Sequence, residues 1–291
     1  MNDKQILEKH NFSFKKKFGQ NFLTDSRIPS RIAENCTDGV PSEDGIIPEV
    51  IVEVGPGAGI LTKELARRFK RVTAVEIDES LIPILGETLS EFNNVTVRNA
   101  DIMETDTKKL AAELSENGKY PVSVCANLPY YITTPVIMKL IEEGAGFRFI
   151  TVMIQKEVAR RLTAPVGSDE YGAITAAISL YGNVKKLFDV SAGNFNPKPK
   201  VDSAVVRISL DNPPKYTDDE RKKALLLIKA AFGQRRKTLV NSLSSVMPSL
   251  SVETKEELAE AISKTLGKPQ DVRGEKLSGE EYVKLGKVLV K

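Results

Sequence analysis

Between residues 49 and 155 the chain alternates two hydrophobic periodicities, and that alternation points to its class before any single residue is considered. Short runs rich in β-branched residues occur at EVIVEVG (49–55), RVTAVEID (71–78), VTVRNADI (95–102), YPVSVCANL (120–128) and FRFITVMIQ (147–155). Between them lie stretches at 60–69, 79–91, 106–115 and 134–143 whose apolar residues recur with helical spacing. Strands that are apolar on both faces, joined by amphipathic helices, imply a parallel sheet covered on both sides, since only that arrangement buries every strand face. KKLFDVSAGNF and SAVVRISL, separated by the proline-rich NPKPKVD, read as a closing pair of strands. The expected sheet is therefore mixed and seven-stranded, in an α/β, Rossmann-like fold.

The pattern changes at DNPPKYTDDE (211–220), where two prolines stop the last strand and Thr217 or Asp218 can cap a following helix. Amphipathic patterns at 218–232, 237–246, 253–265 and 279–289 then predict a small all-α C-terminal domain. The predicted domains are 1–212 and 213–291.

Composition narrows the function classes. The 291 residues are 41% hydrophobic and 28% charged, ordinary values for a globular protein, and no apolar run approaches the ~20 residues of a membrane span. The first twenty residues are basic in places but lack the apolar stretch of a signal peptide. A soluble, cytoplasmic monomer with no membrane contact is expected. Cys36 and Cys125 have no paired spacing and His10 is the single histidine, so a disulfide framework, a metal site and a histidine base are all disfavoured. The net charge of +3 is unevenly distributed: 16 Lys/Arg against 11 Asp/Glu lie from residue 212 onward, and 26 against 28 before it. A basic tail is a weak pointer to nucleic acid, and solvated helix faces would account for it equally well.

The first strand runs into Glu53-Val54-Gly55-Pro56-Gly57-Ala58-Gly59 and then into an amphipathic helix. Glycines such as Gly55 and Gly57 let the backbone turn sharply and approach a ligand, and the helix N-terminus presents unpaired N–H groups. The third glycine comes one residue sooner than in the nicotinamide fingerprint. Glu76, which closes the second strand, is placed to accept from ribose hydroxyls, and Asp101, after the third, to meet an adenine amine. These features indicate a nucleoside ligand without separating nicotinamide from S-adenosylmethionine.

Asn127-Leu128-Pro129-Tyr130, after the fourth strand, separates them. An adenine amine is a poor nucleophile because its lone pair is delocalised into the ring. The Asn127 side-chain oxygen and the Leu128 carbonyl can accept its two hydrogens and favour a pyramidal nitrogen. Pro129 restricts the backbone of Leu128, and Tyr130 offers a face on which a flipped base can stack. Methyl transfer from a sulfonium depends on in-line positioning rather than a strong base, so the lack of an available histidine is no obstacle.

With these motifs in view the chain resembles the ribosomal RNA adenine dimethyltransferases, specifically the bacterial small-subunit type. The resemblance runs through KFGQNFL (17–23), the glycine loop, NLPYYITTP (127–135), QKEVARR (155–161), FNPKPKVDS (195–203), FGQRRKTLVNSL (232–243) and RGEKLS (273–278). It implies a class I S-adenosylmethionine methyltransferase domain in which Asn21, Leu23, Gly55, Glu76, Asp101 and Asn127 contact the cofactor. It implies that Phe195 faces Tyr130 across the target base, although a core phenylalanine would satisfy the same pattern. It further implies dimethylation of two adjacent adenines in a hairpin near the 3′ end of 16S rRNA, within an assembling small (30S) subunit.

Candidate RNA contacts are Lys15, Lys16 and Lys17 in the leader, Arg160 and Arg161 on a helix after the fifth strand, and Arg235, Arg236 and Lys237 opening a helix of the second domain. The competing functions are a large-subunit dimethyltransferase of the antibiotic-resistance type, which shares the catalytic motif, and a non-catalytic ribosome assembly factor. A DNA adenine methyltransferase fits less well, since no separate sequence-reading domain is visible.

Overall fold

A computed structural model describes Lys9, His10, residues 22–234 and residues 236–291, with Phe22 described in its backbone alone. By its contacts the chain forms two compact units. The first runs to Ala159 and resumes at Lys185–Leu210; the second comprises Arg160–Val184 and Asp211–Lys291.

The first unit is built on a seven-stranded sheet. Its strands are β2 (Ile47–Val54), β3 (Phe69–Glu76), β4 (Val95–Asn99), β5 (Val122–Asn127), β6 (Phe149–Gln155), β7 (Gly182–Val190) and β9 (Ser203–Leu210), in the order β4-β3-β2-β5-β6-β9-β7. The first five are parallel and β9 runs antiparallel to β6, from Phe149 opposite Ser209 to Gln155 opposite Ser203. The sheet is mixed, as the alternation of strand and helix patterns predicts. Val50, Ile51, Val52, Val72, Ala74, Val124, Cys125, Ile150 and Val152 are all fully buried, so the central strands are covered on both faces.

Helices α1 (Arg27–Asn35), α2 (Ile60–Ala66), α3 (Ile82–Thr88), α4 (Thr107–Leu114), α5 (Thr133–Glu142) and α6 (Lys156–Leu162) connect or flank these strands. α1 was not legible in the sequence, yet its Ile32 and Ala33 pack with Ile51, Leu65 and Phe69 in one core cluster. The 79–91 pattern divides into a 3-10 turn, Glu79–Leu81, and α3, which restarts with Pro83 in its first turn, where the missing proline N–H costs nothing.

The closing pair of strands needs correction. KKLFDVSAGNF does not continue as one strand: β7 stops at Val190, and the Ser191 side chain caps a tight turn over Ala192–Asn194. Phe195–Asn196 (β8) then pairs antiparallel with Phe22–Leu23 (β1) in a separate two-stranded sheet.

In the second unit, α7 (Ala173–Ile178), α8 (Asp218–Gly233), α9 (Leu239–Leu243), α10 (Lys255–Leu266) and α11 (Gly279–Leu289) bury Leu227, Leu239, Leu243, Leu258, Ile262, Tyr282 and Leu285. The predicted 237–246 helix is shorter, because Thr238 caps α9 and a 3-10 segment, Ser244–Ser249, follows it.

Candidate active site

One pocket opens at the carboxyl ends of the parallel strands. Leu23, Glu53, Gly55, Gly57, Glu76, Asp101, Asn127, Leu128, Pro129, Tyr130 and Phe195 all line it, at the edge where doubly wound sheets place ligands. Asn21 lies outside the described residues.

The glycine turn forms its floor. After β2, Gly55, Gly57 and Gly59 adopt φ of 69°, 59° and 88°, left-handed values that cost an L side chain about 1–2 kcal/mol each. The Gly55 N–H donates to the Val75 carbonyl (2.9 Å) and the Gly59 N–H to the Pro56 carbonyl (3.0 Å), folding the turn against β3. A Cβ at Gly55 would meet nothing within 4 Å, so the backbone there borders open space in the pocket.

Glu76 ends β3 and is 4% exposed. Its carboxylate accepts from the N–H of Asp78 (2.8 Å, Oε1) and of Gly57 (3.2 Å, Oε2). Burial raises its pKa, and these two N–H groups pull it back toward the anion. The same bonds tie the glycine turn to the end of β3, so one carboxylate both shapes the turn and faces the ligand space. Asp101 follows β4; its Oδ1 accepts from the Met103 N–H (2.8 Å), and its carbonyl accepts from the Thr105 hydroxyl (2.7 Å). A rigid local turn therefore aims Asp101 at the same pocket.

On the other side of β2, Asn127 is the last residue of β5, paired with Met153 of β6. Among the described residues none hydrogen-bonds its side-chain amide or the Leu128 carbonyl, which leaves both acceptors available to a ligand. The Pro129 carbonyl accepts from the Ile132 N–H (3.1 Å) and the Thr133 hydroxyl (3.2 Å), locking the turn into the start of α5. The Tyr130 hydroxyl shares a 2.9 Å hydrogen bond with Ser203 Oγ, which fixes the ring in the pocket wall. Phe195 packs in the main core cluster and also lines the pocket. The pairing of Leu23 with Phe195 brings the leader strand to the same wall.

Two residues at the site escaped the sequence reading. Glu53, two residues before Gly55, is 1% exposed and lines the pocket, and its Oε2 has no hydrogen-bond partner. Burial pushes its pKa up to about 8, the Thr62 hydroxyl pulling it down and the nearby Glu76 charge adding a smaller push upward. A carboxyl inside an otherwise apolar strand, EVIVEVG, was the available signal. Ser203, in FNPKPKVDS, has no spacing that shows it reaches Tyr130.

Four of the eight predicted RNA contacts fall among the described residues. Lys15, Lys16, Lys17 and Arg235 lie outside the described residues. Arg160 and Arg161 lie on α6, with Arg160 exposed and 3.6 Å from Glu170. Arg236 and Lys237 do not open a helix: they stand in the turn between α8 and the Thr238 cap of α9, both exposed.

Comparison with known proteins gives a consistent result. The family model described as ribosomal RNA adenine dimethylase matches residues 11–270. The chain is 44% identical to the ribosomal RNA small subunit methyltransferase A of Bacillus pumilus (strain SAFR-032), over 99% of this chain and 95% of the relative. It is also 44% identical to the protein of the same name from Bacillus licheniformis, over 97% and 93%. Among solved structures, a dimethyladenosine transferase from Plasmodium falciparum superposes with a TM-score of 0.74 at 24% identity, covering 93% of this chain and 100% of the other. The 23S rRNA methyltransferase ErmE superposes with a TM-score of 0.67 at 26% identity, covering 91% and 98%.

Proposed function

This chain belongs to the ribosomal RNA adenine dimethylase family, and from that premise we propose that it dimethylates the N6 amines of two adjacent adenines in the 3′-terminal hairpin of 16S rRNA. Its substrate is an assembling small subunit and its methyl donor S-adenosylmethionine; it works where ribosomes are assembled. The observation that carries the reading is the shared pocket, which Asn127 and Leu128 line together with the glycine turn, the Asn127 amide and Leu128 carbonyl having no partner among the described residues.

The residues present fit the donor. Gly55 leaves room where a side chain would intrude, Glu76 and Asp101 are held by backbone N–H groups, and Glu53 offers an unpartnered oxygen. Glu76 would take the ribose hydroxyls, Asp101 the adenine amine, and Leu23 and the glycine turn the remainder. When bound, S-adenosylmethionine supplies a methyl group on an electrophilic sulfonium.

The chain's own residues prepare the nucleophile. The Asn127 oxygen and Leu128 carbonyl accept the two hydrogens of the target amine, drawing the nitrogen lone pair out of conjugation. Tyr130, held by Ser203, and Phe195 enclose the flipped base between aromatic rings. After transfer the alkylated nitrogen is acidic enough to lose its proton to water, so no histidine is needed; His10 is engaged with Glu87 at 3.0 Å.

The small-subunit substrate is favoured over the large one by 44% identity along nearly the whole of both chains, against 26% to ErmE. Incubating the protein with labelled S-adenosylmethionine and undermethylated assembly intermediates of each subunit tests the reading. N6,N6-dimethyladenosine is expected in 16S rRNA alone; label confined to 23S rRNA, or in neither, would refute it.

A further inference from the structure

Two carboxyls reach the pocket from adjacent strands, and they are not equivalent. Glu76 is compensated by two backbone N–H donors. Glu53 is deeper, and its Oε2 has no partner. The titratable groups facing Glu53 are Glu76 on β3 and the Cys125 thiol on β5, with Cys36 beyond it at the end of α1; from α2 it meets only the Thr62 hydroxyl. Among the described residues no lysine or arginine offsets it. A buried, uncompensated carboxyl of this kind stays neutral until a cation arrives.

Resting on the cofactor reading above, we propose that Glu53 is a proton-linked counter-ion: it meets the incoming donor as a neutral acid and holds it as a carboxylate, expelling one proton to solvent. The O–H bond of the Glu53 carboxyl breaks, its electron pair stays on the oxygen, and the buffer takes the proton. The ligand's positive charge, carried by its ammonium or its sulfonium, replaces the proton as the compensating charge. Ligand affinity must then rise with pH as long as the free carboxyl is protonated, by nearly tenfold per pH unit, up to the free group's pKa of about 8. Above that it levels off if the sulfonium is the partner, and falls if the ammonium is, because an α-amino group itself deprotonates at about pH 8.

Calorimetry on the full chain in two buffers of different ionisation enthalpy counts the protons released. S-adenosylmethionine is expected to release close to one proton at pH 7 and far fewer at pH 9. 5′-Methylthioadenosine, which keeps the nucleoside and thioether but carries no charge, is expected to release none. S-adenosylhomocysteine keeps the ammonium and lacks the sulfonium: release with it identifies the ammonium as the partner, no release identifies the sulfonium, and either supports the counter-ion role. Glu53→Gln should bind S-adenosylmethionine without proton release and without the rise in affinity with pH.

Equal release from 5′-methylthioadenosine, or undiminished release from the Gln variant, would overturn the proposal. Binding of S-adenosylmethionine without release would overturn it alone, whereas absence of binding would remove the cofactor reading as well. The wild-type comparison of charged and uncharged ligands decides the matter even if the variant does not fold.

Discussion

The strand-rich unit and the helical unit obey local rules to different degrees. In the helical unit three helices begin with complete capping boxes: Thr217 with Glu220, Thr254 with Glu257, and Ser278 with Glu281. α10 ends on Gly267 in the left-handed conformation, and the buried Tyr282 hydroxyl donates to the Gly274 carbonyl at 2.9 Å. Each of these features satisfies a backbone or side-chain group close by in sequence. Around the pocket of the other unit the rules are broken. Glycines with positive φ crowd one turn, two carboxyls are buried side by side, and an amide and a carbonyl have no partner among the described residues. Such departures cost stability and are retained where a ligand completes them.

The largest effect expected from breaking this contrast is at Asn127. Asn127→Ala removes an acceptor that acts on the reacting amine, and single-turnover methylation should slow by about 10²–10³-fold, while RNA affinity in a filter-binding assay stays near that of the parent. A methylation rate within a fewfold of the parent would contradict the assigned role.

Glycine substitutions in the two units should separate function from stability. Gly55→Ala places a methyl in open space at a φ of 69°. Its expected signature is weaker S-adenosylmethionine binding, by roughly tenfold or more, with about 1 kcal/mol of conformational strain. Gly274→Ala puts a Cβ 2.8 Å from Ala231 Cβ and 2.9 Å from the Tyr282 hydroxyl. Overpacking of that kind should lower thermal stability by about 1–3 kcal/mol and leave the cofactor dissociation constant unchanged. If both variants lost stability alone, the contrast between the units would fail.

The smallest effect concerns a cap. Thr254→Ala removes the side chain that accepts from Glu257 N–H at 3.2 Å, and should cost about 1 kcal/mol, read as a lower unfolding midpoint with methylation kinetics preserved below it.

Much of this was legible in the chain itself. The five parallel strands emerge within a few residues of their apolar runs, because a strand buried on both faces must be apolar along its length. The glycine turn, Glu76, Asp101 and the 127–130 segment were identifiable because strand ends carry ligands in this class of fold. Element boundaries were less accurate where short-range chemistry intervened, at the helices near Pro83 and Thr238 and at the strand that stops before Ser191. β1 and β8 left no periodic trace, since two residues per strand are too few to show one.

The alternation of apolar runs and amphipathic stretches settled the class of fold and which strand ends bear polar groups, since both depend on residues near one another in the chain. Tertiary structure alone decided that Leu23 meets Phe195, that Ser203 holds Tyr130, and that Glu53 is buried at the pocket with no cation to offset it among the described residues. Those outcomes depend on which groups distant segments bring together, and on how far they exclude water, and neither is written in any local stretch of sequence.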